Sequence, residues 1–112
     1  MTRYLISFDH GAMDHIPDED APAVDKAAHA VVQEARDAGV FVFAGGVYEA
    51  VSMVGTDGAV TDAPDGKPYV GGVTIVDVPS RDEALRWAAR IAGACRCAQE
   101  LHEIMPDPAV GN

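Results

Sequence analysis

The chain has 112 residues, 48% hydrophobic and 23% charged, the size and composition of one globular domain with a core to bury. Eight basic residues stand against eighteen acidic ones, a formal net charge of −10, and with no basic stripe to displace counterions a nucleic-acid partner is excluded. No apolar run approaches the roughly 18 residues of a membrane span, and MTRYLISFDH turns polar too soon for a signal peptide. A cytoplasmic protein without a membrane partner is expected.

In chain order, Arg3–Phe8 alternates, with Tyr4, Ile6 and Phe8 on one side, and reads as a first strand. Asp9–Asp20 is an acidic loop carrying His10 and His15. A helix follows, entered through Asp18–Pro22 and closed by Gly39, a natural residue beyond a helix end. At 100° per residue Val24, Ala28, Val31, Ala35 and Ala38 fall in one stripe that should pack on a sheet. Val40–Phe43 is apolar on both faces and forms a second strand ending at Gly45-Gly46.

Val51–Thr56 and Ala59–Thr61 flank Asp57-Gly58, a strong hairpin signal. Asp62–Pro68 is rich in turn residues and reads as a loop. The stretch Tyr69–Ala92 organises the rest. Val73–Val78 is β-branched and ends at Pro79, which has no N–H for a ladder. Ser80 then opens a second helix with Glu83 three residues on, the capping-box spacing. Gly93–Cys97 reads as a loop, Glu100–Met105 as a last strand, and the tail from about residue 107 as frayed. Residues 1–112 make one α+β domain of order β-α-β-(hairpin)-β-α-β, the ferredoxin-like βαββαβ arrangement with an inserted hairpin.

Several segments carry a resemblance to a known family: Arg3-Tyr4-Leu5-Ile6, Ala38-Gly39-Val40, Gly45-Gly46-Val47, Asp57-Gly58, Gly71-Gly72-Val73, Ile75–Val78, Glu83-Ala84 and His102–Pro106. Together they resemble the YCII-related family, in the branch named after its DGPF motif. That tetrad stands here as Asp62-Ala63-Pro64-Asp65, with glycine and phenylalanine replaced. The resemblance implies ferredoxin-like protomers paired as a homodimer in an α+β barrel. It implies little about activity, although one relative is a dehydrochlorinase acting on an aromatic substrate.

Among candidate site residues, His29 lies about 140° round the first helix from Val24, off the apolar stripe and beside Asp25, Gln33 and Arg36. Either it is an ordinary surface residue or it borders a cleft, where histidine suits acid/base work. The relatives carry a histidine and an aspartate on this helix as a site. Aligned on Gly39, Asp37 matches the aspartate, while the histidine position falls on Ala28, next to His29. Asp62 and Lys67 match the family pattern near its motif. Asp62 is also ordinary turn chemistry, and Lys67 either contacts an anionic ligand or pairs with a neighbouring carboxylate. His10 and Tyr69 complete the candidate ligand contacts.

Asp9-His10 and Asp14-His15 lack an ordered metal-ligand spacing, and the lone C-x-C pair Cys95/Cys97 cannot complete a four-ligand site. No metal and no organic cofactor are expected. Gly45-Gly46 and Gly71-Gly72 lack the context of a phosphate or dinucleotide loop and read as bulges or close backbone approaches. The sequence therefore points to a cofactor-free enzyme doing lyase- or isomerase-like acid/base chemistry on a small organic molecule. His29, Asp62 and Asp37 are its catalytic candidates. The alternative is a non-catalytic small-ligand-binding or regulatory module.

Overall fold

The computed structural model describes residues 1–112. Six strands and two long helices follow the expected order: β1 Thr2–Asp9, α1 Ala21–Asp37, β2 Phe41–Gly46, β3 Ser52–Val54, β4 Val60–Asp62, β5 Val70–Val78, α2 Arg81–Cys95 and β6 Glu100–Glu103. Four strands make one antiparallel sheet in the order β2-β5-β1-β6, while β3 and β4 pair only with each other. The fold is α+β, with the hairpin inserted between β2 and β5. No helix is long and apolar enough to cross a membrane.

Register sorts the sheet into two faces, because successive side chains of a strand alternate. On one face lie the rows Phe41–Val76–Tyr4–Glu103 and Ala44–Thr74–Ile6–Leu101. Here Tyr4, Ile6, Val76 and Val78 join Ala35 of α1 and Ala84, Ala88, Ile91 and Cys95 of α2 in the core. On the other face the row Phe43–Ile75–Leu5–His102 has no helix over it. A register shift between Phe41 and Phe43 sends these two phenylalanines to opposite faces, with Val42 as the extra residue.

Both helices are fixed by local chemistry and then tied together. Ser80 caps α2 by accepting the Glu83 N–H at 3.3 Å, as its spacing requires. Gly39, at φ 74°, releases the chain from α1 into β2. Along α1 the apolar stripe buries Val24 and Ala35 and half-buries Ala28 and Val31, whereas Ala38 sits exposed at the end. Arg96 bonds Asp20 at 2.8 Å and Arg90 bonds Glu34, so the C-terminal half of α2 is tied to both ends of α1.

Several boundaries differ from the sequence reading. Helix α2 continues through Gly93 to Cys95 and turns at Arg96, which adopts the left-handed conformation at φ 57°. The glycine pair Gly71-Gly72 lies inside β5 rather than before it. The tail, read as loose, closes a 3-10 turn over Pro108–Val110 that Asp107 caps, and Arg3 bonds the Asn112 side chain at 3.3 Å.

Candidate functional site

A cleft of about 560 Å³ opens between α1 and the β2–β5 side of the sheet. Two things make it. The stripe on α1 meets α2 and the core through Ala35, but farther toward its N-terminal end it faces strand positions that are glycine or small. The third row on this face of the sheet is Gly46–Gly72–Phe8. A Cβ on Gly72 would fall 2.5 Å from Cε1 and Cζ of Phe8, so the far end of that ring lies over the glycine. Without side chains there, the floor of the cleft is backbone and aromatic face.

The walls differ in character. Val24, Ala28, Val31, Phe8 and Phe41 supply an apolar interior, and Ile91 and Cys95 close the inner end. Burial raises the Cys95 thiol above its ordinary range, with a further contribution from neighbouring Cys97. The lip is polar: Asp25, His29, Gln33 and Arg36 follow one another at helical spacing along α1. The Arg36 guanidinium sits over the Phe41 ring, 4.9 Å from its centroid. His29 is exposed at this lip, so the residue chosen from its angular position on the helix does border a concavity.

The other candidates fall elsewhere in the protomer. Asp37 is eight residues beyond His29, about 12 Å along the helix axis at 1.5 Å per residue. Its carboxylate instead accepts from Gln33 Nε2 at 2.9 Å. It is therefore not positioned to orient His29. Asp62 is the last residue of β4, not a loop residue, and pairs across the hairpin with Ser52. Lys67 is exposed in the following loop. Neither lines the cleft. His10 and Tyr69 are brought together: the His10 N–H donates to the Tyr69 carbonyl at 2.8 Å, and their rings stack at 5.1 Å. That pair lies beside Gly71, where an added Cβ would meet the His10 backbone at 2.9 Å. No group of three or more His, Cys, Asp or Glu side chains is placed to hold a metal ion.

Phe8, Phe41, Arg36 and the glycine floor were not among the sequence-derived site residues. The signal was present in the two glycine pairs, but it becomes legible only once β2 is paired with β5 and Gly46 faces Gly72.

The model of the YCII-related domain matches residues 5–106. The chain belongs to the YCII-related family. A search of curated proteins finds no match. Among solved structures, this YCII-related chain is similar to 5-chloro-2-hydroxyhydroquinone dehydrochlorinase (TftG) from Burkholderia phenoliruptrix AC1100, determined in complex with 2,5-dihydroxybenzoquinone. The TM-score is 0.56 at 12% identity, over 97% of this chain and 98% of that one. At that identity the likeness establishes the YCII-related fold, and the ligand is a property of the dehydrochlorinase.

Proposed function

We propose that the protein is a cofactor-free enzyme that moves protons on a small organic molecule held in the α1–β2 cleft, in the manner of a lyase or isomerase. The observation that carries this reading is His29 on the lip of a concavity whose interior is apolar and whose floor is glycine. A backbone floor suits a flat ring, which gains from close approach over its whole face. A planar, oxygenated ring is accordingly the favoured ligand class, and the dihydroxybenzoquinone bound by the dehydrochlorinase supports it. In this reading His29 takes up or delivers the proton. Arg36, held over Phe41 at the same lip, faces oxygen atoms that gain negative charge as the proton leaves. Asp62, Lys67, His10 and Tyr69 lie outside the cleft lining and carry no role in this reading.

The protomer is further proposed to pair with a second copy, uncovered sheet face against uncovered sheet face. Phe43, Ile75 and Leu5 form an apolar row across that face, and water is a poor cover for it. A two-fold axis makes the arrangement self-complementary.

One observation favours the alternative, a non-catalytic ligand-binding module. No carboxylate of the protomer bonds His29; the histidine–carboxylate pair present is His102–Glu100 at 3.3 Å, far from a cleft role. Titrating the four histidines by NMR with and without 2,5-dihydroxybenzoquinone separates the readings. Enzymatic use predicts that the His29 titration moves on binding and that His29→Asn removes the response. Binding that leaves the His29 titration in place supports the module, and no perturbation of cleft residues at millimolar probe refutes the cleft as a site for this ligand class.

A further inference from the structure

The hairpin β3–β4 stands apart from the body of its own protomer. Its strands form a separate two-stranded sheet, and an isolated hairpin is marginal in water unless something covers it. Its paired residues Val54 and Val60 share one face and are each 67% exposed. At its base Tyr48 is 93% exposed and Val47 is 47% exposed. The protomer is correspondingly a slab of 45 × 43 × 18 Å with a radius of gyration of 15.6 Å, where a compact chain of this length has about 13 Å.

A matching uncovered strip lies on β2, an edge strand of the main sheet. Phe43 is 53% exposed and Val42 is 36% exposed. From Val40 to Val47 there is no charged residue. That matters because the hairpin segment carries Glu49, Asp57, Asp62 and Asp65 against one Lys67, and two copies of a chain of net charge −10 repel elsewhere.

We infer that the hairpin is an exchanged arm: its Val54–Val60 face docks on the Val42–Phe43 strip of a second copy of this chain. The inference rests on the proposed pairing of sheet faces and adds the element that completes it. Four strands of four to nine residues, at ~4.8 Å spacing and ~3.3 Å rise, make a small sheet face of roughly 400 Å² in projection. Stable interfaces bury about 800 Å² of accessible surface per partner, and an apolar arm from each side adds to the area that the sheet face buries.

The test is analytical ultracentrifugation of the full chain, of a Val54→Asp/Val60→Asp variant, of Phe43→Asp, and of the triple variant. The arm valines are exposed in the protomer, so far-UV circular dichroism should stay native. The wild type is expected to be a dimer, and the arm and strip variants should each raise its dissociation constant at least tenfold. The triple variant should lose little more than the larger of the two, since arm and strip are one contact. A dimeric wild type whose arm variant dissociates no more readily overturns the exchanged arm while leaving the sheet-face dimer standing. Fully additive losses in the triple variant also overturn it, by placing arm and strip in separate contacts. A wild type that is monomeric at micromolar concentration overturns both.

Discussion

Replacing Gly71 by alanine should destabilise the protein where the same change at Gly72 does much less, although the two are neighbours in one strand. A Cβ at Gly71 would stand 2.9 Å from His10 Cα, 3.0 Å from His10 N and 3.1 Å from Asp9 C. All three are backbone atoms at the bulged end of β1, where the register shifts between Phe8 and Asp9. They can yield only if the strand end moves, and that strains the His10–Tyr69 backbone bond of 2.8 Å. Overpacking of this kind costs about 1–3 kcal/mol, and a weakened hydrogen bond adds about 1 kcal/mol. Against this, alanine restricts the unfolded chain and returns about 0.4–1 kcal/mol. The net is a loss of about 1–3 kcal/mol.

At Gly72 the clashing atoms are Cε1 and Cζ of Phe8, the far end of a side chain that can swing. The expected cost there is at most about 1 kcal/mol, but the displaced ring enters the cleft. Urea unfolding followed by circular dichroism measures both, because the midpoint shift at constant slope reports stability. Gly71→Ala matching the wild type within about 0.5 kcal/mol would refute the reasoning. So would Gly72→Ala proving the more damaging of the two.

Ser80→Ala should cost about 1 kcal/mol in the same assay, because it frees the Glu83 N–H at the start of α2. Stability should decline as pH rises above about 9–10, where these groups ionise in the unfolded chain. Burial raises Tyr4 in the folded state, aided by its 3.1 Å bond to Glu103 and that residue's charge, and burial likewise raises Cys95 and Cys97. The folded state then holds more protons than the unfolded one, so stability falls with pH until the folded groups also ionise. Tyr4→Phe should flatten the upper part of that decline. Elemental analysis of untagged protein should find no stoichiometric metal, and a chelator should leave the unfolding midpoint unchanged.

The parts of the fold legible in the sequence are those determined within a few residues. The Ser80–Glu83 spacing, the alternation of Tyr4, Ile6 and Phe8, the Asp57-Gly58 turn and the stop at Gly39 each state their conformation locally. The end of α2 was not legible, because Gly93 resembles a terminator while the actual turn uses Arg96. What carries the helix past Gly93 is burial of Ile91 and Cys95 in a core built from distant strands. The site divided in the same way. His29 could be placed from its angle on α1 alone. Its separation from Asp37 by two turns follows from helix geometry, but the distance of Asp62 from the cleft depends on where the hairpin lies.

The shift at Val42 makes the register of β2 a shared property of two surfaces. Phe41 stands over the cleft with Arg36 on its ring, and Phe43, two residues on, stands on the uncovered face. Were Val42 paired opposite Ile75 in a regular ladder, both rings would point the same way. A one-residue slip of that kind, with Phe41 in place, would turn Phe43, Ala44, Gly45 and Gly46 to opposite sides. The Phe43 ring would then be driven toward α1 and the apolar row across the bare face would lose its end. Deleting Val42, by contrast, leaves Phe43 next to Phe41 and still on the uncovered face. The bulge thus makes a ligand pocket and a self-association surface interdependent: a β2 that paired Val42 would fail at both together, whereas substitutions to either side of it can alter one and spare the other.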